Sequence, residues 1–218
     1  MVSLPLSVCG LADQLARSVL RLGPVPGDVY ITGDVEADDL LNSDGTALLI
    51  GMLLDQQVPL EWAFAGPARL RARLGHLDVA RIAAMPEPDF VALACEVPAI
   101  HRFPAVMARR VQAMCAVLET EWQCDGANIW ADVADGRELA ERLRSLPGFG
   151  AEKVQITIAV LAKRWRVRPP GWESAAGVFA DDEPRSIADC FDLDSYRRVR
   201  EWKARQRAAN LDKQGRPL

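Results

Sequence analysis

The stretch Leu143-Arg-Ser-Leu-Pro-Gly-Phe-Gly-Ala-Glu-Lys-Val154, continuing as Gln155-Ile-Thr-Ile-Ala-Val-Leu-Ala-Lys-Arg-Trp165, decides the fold. Leu139, Leu143 and Leu146 recur at helical spacing before it, and Val154, Ile158 and Leu161 do so after it. Two amphipathic helices therefore flank the turn Pro147-Gly148-Phe149-Gly150. Pro147 ends the first helix because it has no N–H to donate, and the two glycines are expected to supply the positive φ of a tight reversal. Phe149 is expected to point inward and plug the space between the helices. The amides of Gly150, Ala151 and Glu152 then start the second helix without helical partners, which makes an anion site suited to a nucleic-acid phosphate.

A second stretch lies about a hundred residues earlier: Ala47-Leu-Leu-Ile-Gly-Met-Leu-Leu-Asp-Gln-Gln57, an apolar helix that ends in paired glutamines. Leu-Pro-Gly-Phe-Gly-x-x-Lys resembles the helix-hairpin-helix motif. Together with the Gln-Gln corner it is similar to the endonuclease III-like superfamily of base-excision DNA glycosylases, named for that hairpin plus a Gly/Pro-rich loop and an aspartate. The resemblance covers residues from about Asp44 to Gly177. It implies a mostly α, two-lobed fold with double-stranded DNA in the cleft between the lobes, in a domain spanning 29–210. It also implies an enzyme that removes a damaged or mispaired base by hydrolysing the N-glycosidic bond. A Na+ or K+ ion bridged by the hairpin carbonyls of Leu146 and Gly148 is implied by the family, and no other cofactor is. In relatives, residues at the position of Gln56 and Gln57 enter the gap left by an extruded base; the alternative is that both amides serve local backbone groups.

The chain departs from the family at the residues that do the chemistry. The lysine nucleophile of bifunctional members falls two residues after the second hairpin glycine, where this chain has Glu152. Lys153 is one residue on, about 100° round the helix. It is expected to hold a phosphate rather than form a Schiff base, so the activity expected is monofunctional. The family aspartate follows roughly twenty residues later. The first acid there is Glu173, in the Gly/Pro-rich loop Arg166-Val-Arg-Pro-Pro-Gly-Trp-Glu-Ser-Ala-Ala-Gly177, with Asp181 and Asp182 behind it. Glu173 is thus either the catalytic carboxylate or a solvated cap of its own turn, and the alternative function is a non-catalytic binder of damaged or distorted DNA.

The remaining candidates for DNA contact are His101 and Arg102 in the loop Pro98-Ala-Ile-His-Arg-Phe-Pro104, with Gly148, Phe149, Gly150, Lys163 and Arg168 around the hairpin. Trp165 and Trp172 can stack on a base or pack, and aromatics of that size usually pack.

Composition sets the bounds. Half of the 218 residues are hydrophobic and 26% are charged, as in ordinary globular proteins. Ala, Leu and Arg dominate and aromatics are few, which favours helix over sheet. No apolar run is long enough to span a membrane, and Asp13 and Arg17 interrupt the weakly apolar start, so a cytoplasmic, nucleoid-associated monomer is expected. The net charge of −4 is unevenly spread. Eight acids face two bases up to Asp55, while five bases and no acid lie between Lys153 and Arg168. A basic face on an acidic body still attracts phosphates, with marked salt dependence. The five cysteines contain no C-x-x-C pair, which speaks for buried thiols and against zinc or an iron–sulfur cluster. Residues 1–28 read as an N-terminal extension and 211–218 as a disordered tail.

Overall fold

The computed structural model describes residues 27–217, and they are mostly helical, with no strand. The expectations for residues 1–26 lie outside the described residues. The chain enters as an extended arm, with Val29 and Ile31 buried. Its backbone groups are met by side chains. Asn42 bonds both the N–H and the C=O of Val29 at 2.8 and 2.9 Å, and the buried Asp38 accepts from the amides of Ile31 and Thr32.

Asp34 caps α1 (Val35–Ser43), a helix whose apolar i, i+3, i+4 residues Ala37, Leu40 and Leu41 all face the core. Asp44 caps α2 (Gly45–Leu54), accepting from the Ala47 amide at 3.0 Å. All ten residues of α2 are buried, as its all-round apolar sequence requires. Gly45 allows this depth, since a Cβ there would lie 2.7 Å from the Ala127 amide nitrogen. The next helices are α3 (Leu60–Phe64), α4 (Gly66–Leu74), α5 (Val79–Ala84), α6 (Glu87–Cys95) and the long α7 (Pro104–Glu121). Proline in the first turn starts α4, α6 and α7, where its missing N–H costs nothing. α5 and α6 both pack on α7, and α2 touches α1, α3, α4 and α7.

A short 3₁₀ turn (Gly126–Ile129) leads to the hairpin pair, α8 (Gly136–Arg144) and α9 (Ala151–Lys163). Asp135 caps α8 through the Glu138 amide at 2.8 Å. The five-residue α10 (Trp172–Ala176) lies against both, and α11 (Leu193–Ala208) closes the chain by packing Val199 and Trp202 towards a 3₁₀ turn at Ile187–Asp189. One hydrophobic core runs from Val29 to Val199 through both groups of helices. Trp165 is part of it, edge-on to Trp130 at 5.6 Å, and the half-buried Trp172 is packed against it.

Residues 211–217, expected to be disordered, fold back as a tight loop. Asp212 accepts from the amides of Gln214 and Arg216 and pairs with the Arg216 guanidinium at 2.7 Å. Asx bonding of this kind is a local property of Asp-x-Gln-x-Arg. Among the described residues no helix is long and apolar enough to cross a membrane. Cys115 and Cys190 are buried, and burial pushes both thiols up to about 12; Cys95 and Cys124 are exposed, contrary to the expectation of buried thiols.

Candidate nucleic-acid interface

The hairpin turn is built as its sequence suggests, with one difference. Gly148 has φ +83°, and a Cβ there would meet Leu53 Cδ1 at 2.6 Å. Gly150 instead has φ −73° and ψ 173°, an extended residue at the N-cap of α9. It is exposed, with nothing within 4 Å of where a Cβ would stand. Its role is open approach rather than left-handed geometry. No side chain caps α9, and the first helical bond recorded is Val154 N–H to Gly150 O. The amides from Gly150 to Lys153 therefore lack internal acceptors among the described residues, which favours an anion there. Phe149 is buried as the plug. Of the two carbonyls expected to bridge a monovalent cation, that of Leu146 accepts the Phe149 amide at 3.2 Å, leaving it a lone pair, and that of Gly148 has no donor among the described residues.

Three residues from the far-apart motifs meet at this turn. Gln56, Gly150 and Lys153 line one cavity of about 370 Å³, together with Met52, Asp55, Glu152 and Lys213. Lys153, expected to hold a phosphate, is directed elsewhere. Its Nζ donates to the main-chain carbonyls of Met52, Leu53 and Asp55, closing the C-terminal end of α2. Burial holds this amine well below its ordinary 10.5, at about 8, against the opposing pull of Asp55. Gln56 is similarly engaged: its Nε2 donates to Leu53 O at 2.8 Å and its Oε1 accepts from Arg110 at 2.9 Å. Gln57 is exposed and left-handed, φ +55°, and no hydrogen bond holds its side chain among the described residues.

Other expected contacts lie apart. His101 is buried rather than exposed, at 1%. Its Nδ1 accepts the Phe103 amide at 3.0 Å, so Nε2 carries the proton and donates to Gln56 O at 2.8 Å. Arg102 stays exposed, its guanidinium 4.7 Å from the Phe103 ring centre. Lys163 is paired with Asp189 at 2.7 Å, both side chains nearly buried. Arg168 donates to Ala162 O at 2.8 Å at the C-terminal end of α9. These two are near the hairpin turn in sequence but separated from it by the length of α9, about 20 Å for thirteen residues.

The acids are redistributed in the same way. Glu173 is exposed on α10, whose start packs on the start of α8: a Cβ at Gly136 would touch Gly171 O and the Trp172 backbone. Antiparallel pairing of α8 with α9 puts that end away from the turn. Asp181 pairs with Arg185 at 2.7 Å, and Asp182 is exposed. None of the three lines the hairpin cavity.

The carboxylates that do are Asp55 and Glu152. Asp55, at 13% side-chain exposure, has Lys213 at 4.0 Å and accepts no hydrogen bond at its carboxylate among the described residues. Glu152 is 3.6 Å from Lys213. Asp55 was legible as the residue before the paired glutamines and Glu152 as the occupant of the nucleophile position; Lys213 gave no signal in a tail that reads as disordered. A second cavity, of about 700 Å³, adjoins the first, shares Asp55, Glu152 and Lys213 with it, and continues along Gln57, Pro59 and the Lys203 side of α11. No group of three or more His, Cys, Asp or Glu side chains among the described residues is arranged to hold a metal ion. Compared with family models, with curated proteins and with solved structures, the chain matches none.

Proposed function

We propose that this protein is a monofunctional base-excision DNA glycosylase, with duplex DNA gripped at the Gly150 end of α9 and the target base extruded into the adjoining cavities. The observation that carries this is a convergence: the open amide end of the hairpin, Gln56 and a nearly buried carboxylate that accepts no hydrogen bond among the described residues, Asp55, share one cavity, and Gln57 lines the adjoining one, which Asp55 also faces. Buried carboxylates are normally hydrogen-bonded, so one met only by Lys213 at 4.0 Å keeps lone pairs available to a ligand.

In this reading a phosphate of the target strand binds the amides from Gly150 to Lys153, and Gln57 enters the gap in the stack. Extrusion costs a few kcal/mol and is least for a damaged or mispaired base. As the C1′–N bond breaks, positive charge grows on the sugar, and Asp55, poorly solvated, stabilises that charge and orients the water that adds to C1′. Glu173 has no such part, because it lies outside the cavity. No amine attack comes from Lys153, whose Nζ is committed to three carbonyls. The Leu146 and Gly148 carbonyls would hold a monovalent cation, which would supply positive charge beside the phosphate.

The test is base release from a panel of damaged-base and mismatched duplexes, beside gel-shift binding to an abasic duplex. Asp55→Asn is expected to lower release by about 100-fold or more, with affinity retained, and Glu173→Gln to change neither. Binding without release from any duplex supports the non-catalytic binder instead. Absence of salt-dependent binding removes the nucleic-acid assignment altogether.

A further inference from the structure

The second cavity holds a charged group the scheme above leaves unused. Lys203 lines it from α11, and among the described residues its Nζ has no hydrogen-bond acceptor and no carboxylate within ion-pair distance. This sets it apart from Lys153, tied to three carbonyls, and Lys213, shared by Asp55 and Glu152. The cavity thus contains, on one element, a carboxylate whose one ion pair among the described residues is the 4.0 Å contact with Lys213 and, on another, an amine with no such partner. A ligand complementary to both is dipolar. Breaking an N-glycosidic bond creates such a dipole, with a cationic sugar and an anionic base.

We propose that Lys203 is the catalytic acid that protonates the departing base, opposite Asp55 on the sugar side. The inference rests on the glycosylase reading. In the step, the C1′–N bond breaks and its electron pair goes to the base nitrogen. The base takes a proton from the Lys203 ammonium, at that nitrogen or at a conjugated carbonyl oxygen, and leaves neutral. Water adds to C1′ and its proton passes to Asp55. Transfer of that proton through solvent back to the Lys203 amine restores both groups, and the sum is one water consumed for one base and one abasic sugar released.

The surroundings suit the role. Burial lowers this amine from 10.5 to about 8. Asp55 and Cys190 favour the charged form, while Lys213 and Arg207 oppose it. Of the other acids on the cavity wall, Glu152 faces Lys213, Glu61 is paired with Arg200 at 3.1 Å and Asp212 with Arg216. The amine is therefore charged at pH 7 and yields its proton more readily than an ordinary lysine, as general acids need.

The experiment uses the full chain, Lys203→Met and Lys203→Arg, on duplexes carrying uracil or 5-fluorouracil and hypoxanthine or N7-methylhypoxanthine. In each pair the second base is the better leaving group and needs less protonation. Both variants are expected to lower kcat for uracil and hypoxanthine by about 100-fold and for the paired bases by under tenfold, with affinity for an abasic duplex within threefold. The unaltered protein is expected to lose kcat above about pH 8, a limb that both variants lack. Lys203→Arg keeps the charge, so it reports on the proton even where Lys203→Met folds poorly. Equal losses on both members of a pair, or an unchanged alkaline limb in Lys203→Arg, overturn the role and leave the glycosylase reading intact. No release of any of these bases by the unaltered protein, nor of any in the wider panel, overturns both.

Discussion

Lys153, in the first turn of α9, donates from its Nζ to the main-chain carbonyl of Met52 at the end of α2, and so fastens the hairpin to the buried helix a hundred residues before it. The bond satisfies carbonyls that the end of a helix leaves without partners. Lys153→Met is expected to cost about 1–3 kcal/mol in urea unfolding, the penalty of buried acceptors left unmet. The deficit also depends on pH. The folded amine titrates near 8 and the unfolded one near 10.5, so between them the unfolded chain binds a proton that the native chain has released. Native stability then rises with pH across that window, while below 8 the cost of burying the charge is felt in full. The Lys153→Met deficit should therefore widen between pH 8 and pH 10, and a constant deficit would contradict the burial of this amine.

The two hairpin glycines separate folding from binding. Gly148→Ala must hold φ +83° and push its Cβ into Leu53, so a loss of about 1–3 kcal/mol is expected by thermal or urea unfolding. Gly150→Val has ordinary φ and open space, and a stability change within about 1 kcal/mol is expected. Its side chain would nonetheless crowd the approach to the α9 amides. Affinity for an abasic duplex should fall at least tenfold in Gly150→Val while the melting temperature barely moves. Undiminished binding by that variant would remove the amide site.

Gln57 is held at φ +55° with no glycine to make it easy, and such residues concentrate where strain serves a site. Gln57→Gly is expected to stabilise the fold by up to about 1 kcal/mol by relieving that strain. The same change removes the side chain proposed to fill the gap in the duplex. Preference for duplexes with an extruded or abasic nucleotide over intact duplex should shrink in a competition assay; an unchanged preference would show that Gln57 does not enter the stack.

His101 links the corner to the loop before α7 as a neutral, buried donor. Burial first, then the charges of Arg102, Lys153 and Arg110, lower it from 6.5, and its bond to Gln56 only partly opposes them. Because the unfolded imidazole binds the proton first, the contribution of His101 is fully present above pH 6.5 and is lost as pH falls below it. His101→Gln should be less stable than the unaltered protein at pH 7.5, with a gap that narrows towards pH 5. A gap that grows on acidification would mean that the charged form is the one held in the fold.

The sequence by itself determined the helices and the turn between α8 and α9, because periodicity, caps and prolines act over a few residues. Asp44 and Asp135 cap helices as their types suggest, Phe149 is buried, and α2 is apolar on every side because it lies in the middle of the core. It also set Gln56 and Asp55 beside each other, since they are neighbours in the chain. The α1 helix is hard to read locally, because four acids among Asp34–Asp39 obscure a short apolar face of Ala37, Leu40 and Leu41. What only the tertiary structure decided is which charges share a cavity. Lys163, Arg168 and Glu173 read as neighbours of the hairpin because they are close in sequence, yet a thirteen-residue helix carries them away from its turn. Lys213 reaches that turn, and Lys203 the cavity beside it, from the far end of the chain because α11 packs back onto the core. Whether a lysine meets a carbonyl, a carboxylate or open space depends on where such long-range packing leaves its amine, and no local pattern encodes that.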